Sequence, residues 1–279
     1  LLAYLHLAAA PELLRVLLQQ GVRALAYETV ALEDGSLPLL APMSQIAGRV
    51  SVLMAAQYLR VDFNKAKEKI SCCKGMLLGG IPGIDSGRVT ILGAGEVGRQ
   101  AAHMALALGA EVILLDCRQA ALNVAAQKLN GSLYTEILSD EALRQYLPKT
   151  DVLLGAALIA GARAPQLLSA EYLSLMEAGS VFMDVAIDQG GVSTTSRLTS
   201  YDEPVYSCEG VWHCCLPNFP ACVPHSSSLA LVAASLRYIR QWANLGLQQA
   251  IERNSALAKG VNTWDGAVVH SALSHLIQS

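Results

Sequence analysis

The chain has 279 residues, about twice the usual single-domain size, which implies two lobes or one large α/β domain and enough length to bury a sizeable core. Hydrophobic residues make up 53% and charged residues only 15%; this excludes intrinsic disorder and suits a parallel sheet buried on both faces, an oligomer that hides apolar surface, or both. Lys and Arg number 20 against 23 Asp and Glu, a formal charge of −3, so no strong field exists to hold nucleic acid or an anionic membrane.

The predicted elements run as follows. Leu2–Leu7 reads as a strand, Pro11 and Glu12 open a helix that ends near Gly21, and Val22–Thr29 reads as a second strand. A turn follows at Glu33–Ser36. A long helix is expected from about Met43 to Arg60, and the Lys-rich piece Asn64–Lys69 as an exposed loop or helix extension. From Gly87 strands and helices alternate. The strands are expected at Val89–Leu92, Glu111–Leu115, Leu133–Leu138, Asp151–Leu158 and Ser180–Ala186. The helices between them are expected at Glu96–Leu108, Ala120–Leu129, Asp140–Leu147 and Ala170–Ala178. Short connections in this order mean right-handed crossovers and a parallel sheet. Val205–Cys215 adds one further strand. After Ser226 the pattern is helical, with Leu229–Leu245 and Leu247–Leu257 as two helices, the first of which leaves the sheet domain and returns to the first lobe.

The longest stretch without Asp, Glu, Lys or Arg, Gly210–Leu236, contains three prolines, two histidines and Asn218, and is no membrane span. The chain holds seven cysteines. The count is odd and the adjacent pairs Cys72-Cys73 and Cys214-Cys215 suit no disulfide framework, so they read as reduced thiols of a cytoplasmic protein. The apolar start Leu1–Ala10 lacks a basic leading region and is not read as a signal peptide.

Gly93-Ala94-Gly95-Glu96-Val97-Gly98 follows a predicted strand and opens a predicted helix. The first glycine permits the tight turn, the second admits a pyrophosphate to the backbone, and the third lets the helix pack on the strand. The helix N-terminus supplies amide donors and the positive end of its dipole. Asp116 ends the next strand, where its carboxylate accepts from the adenosine ribose hydroxyls and repels a 2′-phosphate. NAD(H) is therefore expected over NADP(H), with Arg118 weakening that preference. In a doubly wound sheet the rest of the ligand lies beyond the C-terminal strand ends. Three segments fall there: Ala156–Leu158, Asp184–Gly191 and Leu216–Pro220. Asp184, inside an apolar run, reads as a satisfied structural acid. Asp188 lies past the strand end, where a reacting group can sit. Asn218, fixed between prolines, can hydrogen-bond the carboxamide or the ribose. No metal-ligand set is assigned.

Several stretches resemble alanine dehydrogenase, in the family shared with the NAD-binding subunit of proton-translocating transhydrogenase. They are AYLHLA (Ala3–Ala8), AYETV (Ala26–Val30), GSLPLLAPMS (Gly35–Ser44), AGR (Ala47–Arg49), LLGGIPG (Leu77–Gly83), MDVAIDQGG (Met183–Gly191), NFPACVP (Asn218–Pro224) and ALAKGVNT (Ala256–Thr263). The resemblance covers nearly the whole chain. It implies a Rossmann-type doubly wound parallel sheet plus a second, incomplete α/β substrate lobe. Residues 1–42 would be the remnant of that lobe, 43–226 the NAD-binding domain and 227–279 the helical return. It implies reversible oxidative deamination of L-alanine to pyruvate and ammonium with NAD, in a homo-oligomer, a hexamer.

By the same resemblance His6 is the general acid/base near the substrate carbonyl, and Asp188 assists proton transfer and addition at the imine carbon. Without it, a lone histidine at a strand end reads as structural. The family's cofactor contacts fall on Ser44, Glu96-Val97, Asp116, Ala157-Leu158, Val185-Ala186-Ile187-Asp188, Arg197 and Leu216-Pro217-Asn218-Phe219. Pro217 stands where the family has a small residue. The family's leading segment, with a substrate-binding arginine and lysine, precedes the YLHLA strand and has no counterpart here. The absent Met and abrupt apolar start favour a fragment over a shortened relative. Two alternatives follow: an NAD-binding module without turnover, or a transhydrogenase-like hydride donor, which retention of AYLHLA argues against.

Overall fold

A computed structural model describes residues 1–61, 73–158 and 163–277; the Lys-rich piece Asn64–Lys69 lies outside the described residues. The chain divides into two compact units, one joining Leu1–Ser44 to Val223–Ser279, the other holding Gln45–Leu158 and Ala164–Cys222. Among the described residues no helix is long and apolar enough to cross a membrane.

In the first unit, β1 (Leu2–Ala3), α1 (Pro11–Gln19) and β2 (Ala24–Ala26) precede α2 (Ala41–Leu59), which runs on into the second unit. The chain returns as α7 (Pro224–Leu245), α8 (Leu247–Arg253), α9 (Ser255–Lys259), β10 (Val261–Trp264) and β11 (Ala267–Val268). Its sheet has the order β1-β2-β10-β11. β2 is buried on both faces. Ala24 and Ala26 meet Leu5, Leu7, Leu14 and Leu17, while Leu25 packs among Val30, Leu39, Tyr238 and Leu257.

Both predicted strands of this unit are shorter than expected. The backbone after Ala3 turns to a side chain instead of a neighbouring strand: the N–H groups of Leu5 and His6 donate to the Glu28 carboxylate. Tyr27–Thr29 coils into a 3₁₀ turn that aims Glu28 there. The expected helix Leu247–Leu257 breaks at Asn254, whose side chain accepts from Ala256 and Leu257 and restarts the helix. α7 starts earlier than expected because Pro224 occupies its first turn. β10 and β11 were not anticipated. Asp265-Gly266 turns between them with φ of 45° and 85°, the asparagine-or-aspartate-plus-glycine chemistry of a tight hairpin.

The second unit carries β3 (Arg88–Leu92), α3 (Glu96–Ala107), β4 (Glu111–Asp116), α4 (Gln119–Lys128), β5 (Leu133–Ile137), α5 (Asp140–Tyr146) and β6 (Val152–Gly155). They are followed by α6 (Ala170–Leu173), β7 (Val181–Asp184), β8 (Tyr206–Cys208) and β9 (Val211–Cys214). The seven strands lie in the order β5-β4-β3-β6-β7-β9-β8, the expected doubly wound sheet. It is parallel except for β8, which is antiparallel to β9. Strand order reverses between β3 and β6, the switch point beyond whose C-terminal ends ligands bind. Leu92, Leu115, Leu153 and Phe182 cover one face with Leu143, Leu168 and Leu173.

Three expectations are corrected here. The strand predicted to reach Leu158 stops at Gly155. The helix predicted over Ala170–Ala178 keeps only its first turn, because Leu175 and Met176 donate to Tyr172 and Leu173, winding the chain tightly and seating Met176 in the core. Val205–Cys215 is a hairpin of two strands. Glu209 and Gly210, both at positive φ (52° and 75°), make its turn.

Candidate functional site

The turn after β3 is shaped by its glycines. Gly93 has φ of 107°, and a Cβ there would stand 2.8 Å from the Ala156 carbonyl oxygen. A Cβ on Gly98 would stand 1.8 Å from the Gly93 carbonyl oxygen, so α3 lies directly on the turn. At Gly95 a Cβ would meet no atom within 4 Å. This is an open cradle facing helix amides that no cap side chain satisfies, and a phosphate fits there. Glu96 pairs with Arg99 and accepts from Gln45 at 2.8 Å. Val97 lies against α2, where a Cβ on Gly48 would come within 2.3 Å of the Val97 carbonyl oxygen.

Asp116 closes β4 and is 5% exposed. Its Oδ2 accepts from the Ala94 N–H at 2.7 Å and its Oδ1 from the Arg118 N–H at 2.8 Å. Burial pushes this carboxyl upward, but the Arg118 guanidinium and the two N–H donors outweigh it and hold the pKa below the usual carboxylate value. The group is an anionic acceptor tied to the glycine turn after β3, and a ribose hydroxyl fits such an acceptor.

Beyond β6, Ala156 is buried, Ala157 half-buried and Leu158 exposed. Beyond β7 the chain bends back on itself. Ile187–Gln189 forms a 3₁₀ turn, and Gly190 and Gly191 follow with φ of 102° and 75°. Asp184 organises this bend: it accepts from Ala186 N–H at 3.1 Å, Val192 N–H at 2.9 Å and the Ser196 hydroxyl at 2.5 Å. Complete burial pushes its carboxyl up to about 6 against those hydrogen bonds, which makes it the satisfied structural acid that the sequence suggested. Val185 and Asp188 are half-buried, while Ala186 and Ile187 are buried. Gln189 is buried, and its Oε1 has no hydrogen-bond partner, an acceptor that a bound ligand amide would satisfy.

In the loop after β9, Leu216 and Phe219 are buried while Pro217 and Asn218 are exposed. The Asn218 carbonyl accepts from the Tyr201 hydroxyl at 2.5 Å, fixing the backbone and leaving the amide side chain at the surface. Arg197 is exposed, with its guanidinium 4.1 Å from the Tyr206 ring centre. The Tyr206 hydroxyl accepts from the Arg197 N–H at 3.0 Å and donates to the Thr195 carbonyl at 2.8 Å.

In the first unit, His6 has φ of 46°, a left-handed conformation that costs a non-glycine residue about 1–2 kcal/mol and is kept where surroundings impose it. The imposing group is Glu28, whose Oε1 accepts from the His6 N–H at 2.7 Å. The Tyr4 ring lies nearly parallel to the imidazole, 6.3 Å between centres. Ser44 is buried in α2 and donates its N–H to the Leu40 carbonyl at 3.0 Å. Of the predicted residues, then, His6 and Ser44 lie in the first unit, and the others gather around the C-terminal strand ends of the second. Sequence reasoning passed over Glu28 and Tyr206, and took Gln189 only as part of the segment Asp184–Gly191. A carboxylate inside the apolar run Ala24–Val30 is the signal that marks Glu28.

The model of the alanine dehydrogenase/PNT C-terminal domain matches residues 52–271, and that of the N-terminal domain of the same family matches residues 1–47. The chain is 40% identical over 279 residues to alanine dehydrogenase 2 of Staphylococcus aureus (strain USA300), covering all of this chain and 73% of that protein. It is 43% identical over 275 residues to the alanine dehydrogenase of Methanococcus maripaludis, covering 98% and 72%. A solved L-alanine dehydrogenase superposes with a TM-score of 0.86 at 41% identity, covering 99% of this chain and 74% of that one. A transhydrogenase from Sinorhizobium meliloti shares the fold at 23% identity, with a TM-score of 0.74 over 96% of this chain and 74% of its own. With both domain models matched in order and about two residues in five identical throughout, the chain belongs to the alanine dehydrogenase/PNT family.

Proposed function

We propose that the protein is an NAD-dependent L-alanine dehydrogenase, converting L-alanine, NAD and water to pyruvate, ammonium, NADH and a proton in a reversible reaction. The observation that carries this reading is the identity of 40% to an alanine dehydrogenase along the entire chain, together with the open cradle at Gly95. NAD supplies the acceptor for the hydride that leaves the alanine Cα. Gly93, Gly95, Gly98 and the first-turn amides of α3 hold its pyrophosphate, and Asp116 accepts from its adenosine ribose. Ser44, Glu96, Val97, Ala157, Leu158, Val185–Asp188, Arg197 and Leu216–Phe219 complete the cofactor contacts.

His6 takes the proton from the attacking water and returns it as ammonium leaves. A histidine suits this because the imidazole ring carries one nitrogen that can accept a proton and one that can donate. Asp188 assists the same transfers as a carboxylate. Orientation and exclusion of water are the remaining tasks of the protein. We also infer a hexamer, supported by the apolar composition, and a cytoplasmic setting, supported by the odd count of seven cysteines and by adjacent pairs that suit no disulfide framework.

Alanine-dependent appearance of NADH near about pH 9–10, where free amine is abundant, is the direct test. His6→Ala is expected to lower kcat about 10²-fold or more while leaving NADH binding, followed by fluorescence, within about threefold. NADH binding without any alanine-dependent turnover, in wild-type protein that includes the family's substrate-binding arginine and lysine, refutes the dehydrogenase reading, and full turnover in His6→Ala of that protein refutes the role of the imidazole.

A further inference from the structure

The end of β4 holds two charges where a dinucleotide presents its adenosine ribose. Asp116 is anchored inward by the Ala94 N–H at 2.7 Å. Arg118 closes on the same carboxylate from outside, Nε at 3.2 Å from Oδ1 and Nη2 at 3.4 Å from Oδ2. The Arg118 side chain is 66% exposed and that of Asp116 6%, so the arginine is the solvent-facing half of the pair. Both guanidinium contacts are longer than the about 2.7–2.9 Å of a strong charge-assisted bond, and an exposed contact of this kind releases readily. Arg118 is also the N-cap residue of α4, a helix of 10 residues with no acidic side chain in its first turn. A guanidinium and the positive end of a helix dipole therefore meet at one point.

We propose that Arg118 forms a 2′-phosphate subsite, so that this site accepts NADP(H) as well as NAD(H), the guanidinium turning from Asp116 to the phosphate. The proposal rests on the dinucleotide reading above. A bare carboxylate repels a 2′-phosphate; a carboxylate paired with arginine is neutral overall and offers the phosphate a planar fork of donors. With NAD(H) the balance is opposite, because Arg118 competes with the ribose hydroxyls for the same carboxylate oxygens. Removing the arginine therefore shifts the two cofactors in opposite directions, which a merely structural role does not do.

The test titrates NADH and NADPH by fluorescence into the wild-type chain, Arg118→Ala and Arg118→Lys at low ionic strength. Wild type is expected to bind NADH more tightly than NADPH but to bind both. In Arg118→Ala the NADPH dissociation constant rises about tenfold or more, while that for NADH falls; Arg118→Lys lies between for NADPH, keeping the charge without the fork. NADH binding with NADPH affinity absent, or unmoved by Arg118→Ala, overturns the subsite and leaves the dinucleotide reading intact, and so does an equal loss for both cofactors. Failure of the wild type to bind either nucleotide overturns both.

Discussion

Glu28 and Asp184 are buried carboxylates that bend the backbone in the two units, each by gathering N–H groups that would otherwise join a strand. Glu28 accepts from Leu5 and His6. Glu28→Ala strands both donors in the interior and is expected to cost about 2–4 kcal/mol in urea unfolding, with Glu28→Gln milder because one acceptor oxygen remains. Equal stability of Glu28→Ala and wild type contradicts the assignment. Asp184 adds a pH signature. Its carboxyl rises from an ordinary 3.8 to about 6, so the folded state favours the protonated form. Its contribution is fully present below about pH 4 and is lost as pH climbs through about 6, in total about 3 kcal/mol. Asp184→Asn lacks this titration. Wild type is therefore expected to lose about 3 kcal/mol relative to Asp184→Asn between about pH 4 and about pH 7. A difference in unfolding free energy that stays constant over that span rules the ionisation cost out.

At the scale of elements, the turn between β3 and α3 separates two uses of glycine that look alike in sequence. Gly98 has no room: its Cβ would stand 1.8 Å from a backbone oxygen, so Gly98→Ala pushes α3 off the sheet and is expected to cost about 2–3 kcal/mol of stability. Gly95 has room and an ordinary φ of −70°. Gly95→Ala is therefore expected to keep wild-type stability within about 0.5 kcal/mol. NADH binding in that variant is expected to weaken about tenfold, because the methyl group enters the space left for the phosphates. Thermal melts and NADH titrations on the pair check this, and a Gly95→Ala variant that binds NADH as well as wild type removes the phosphate site from this turn. The elements that composed themselves locally were the easiest to read. β3, α3, β4 and α5 begin or end within one or two residues of expectation, since each has an apolar period and glycine or capping signals of its own.

For the whole molecule, the proposed hexamer predicts a sedimentation mass about six times that of the 29.6 kDa chain, and a monomer in sedimentation velocity opposes it. Sequence alone determined the family and the doubly wound sheet, because these are written in contiguous residues: strand, glycines, helix, and the next strand. Where tertiary contacts compete with local preference, only the folded chain decides. Leu5 and His6 leave a run that reads as strand because a carboxylate 22 or 23 residues away takes their N–H groups. Asp116 gains the Ala94 N–H, 22 residues away in the chain, only when the fold brings the turn after β3 to the end of β4. Hydrogen bonds and ion pairs between distant residues obey no period, so a single chain carries no local sign of them.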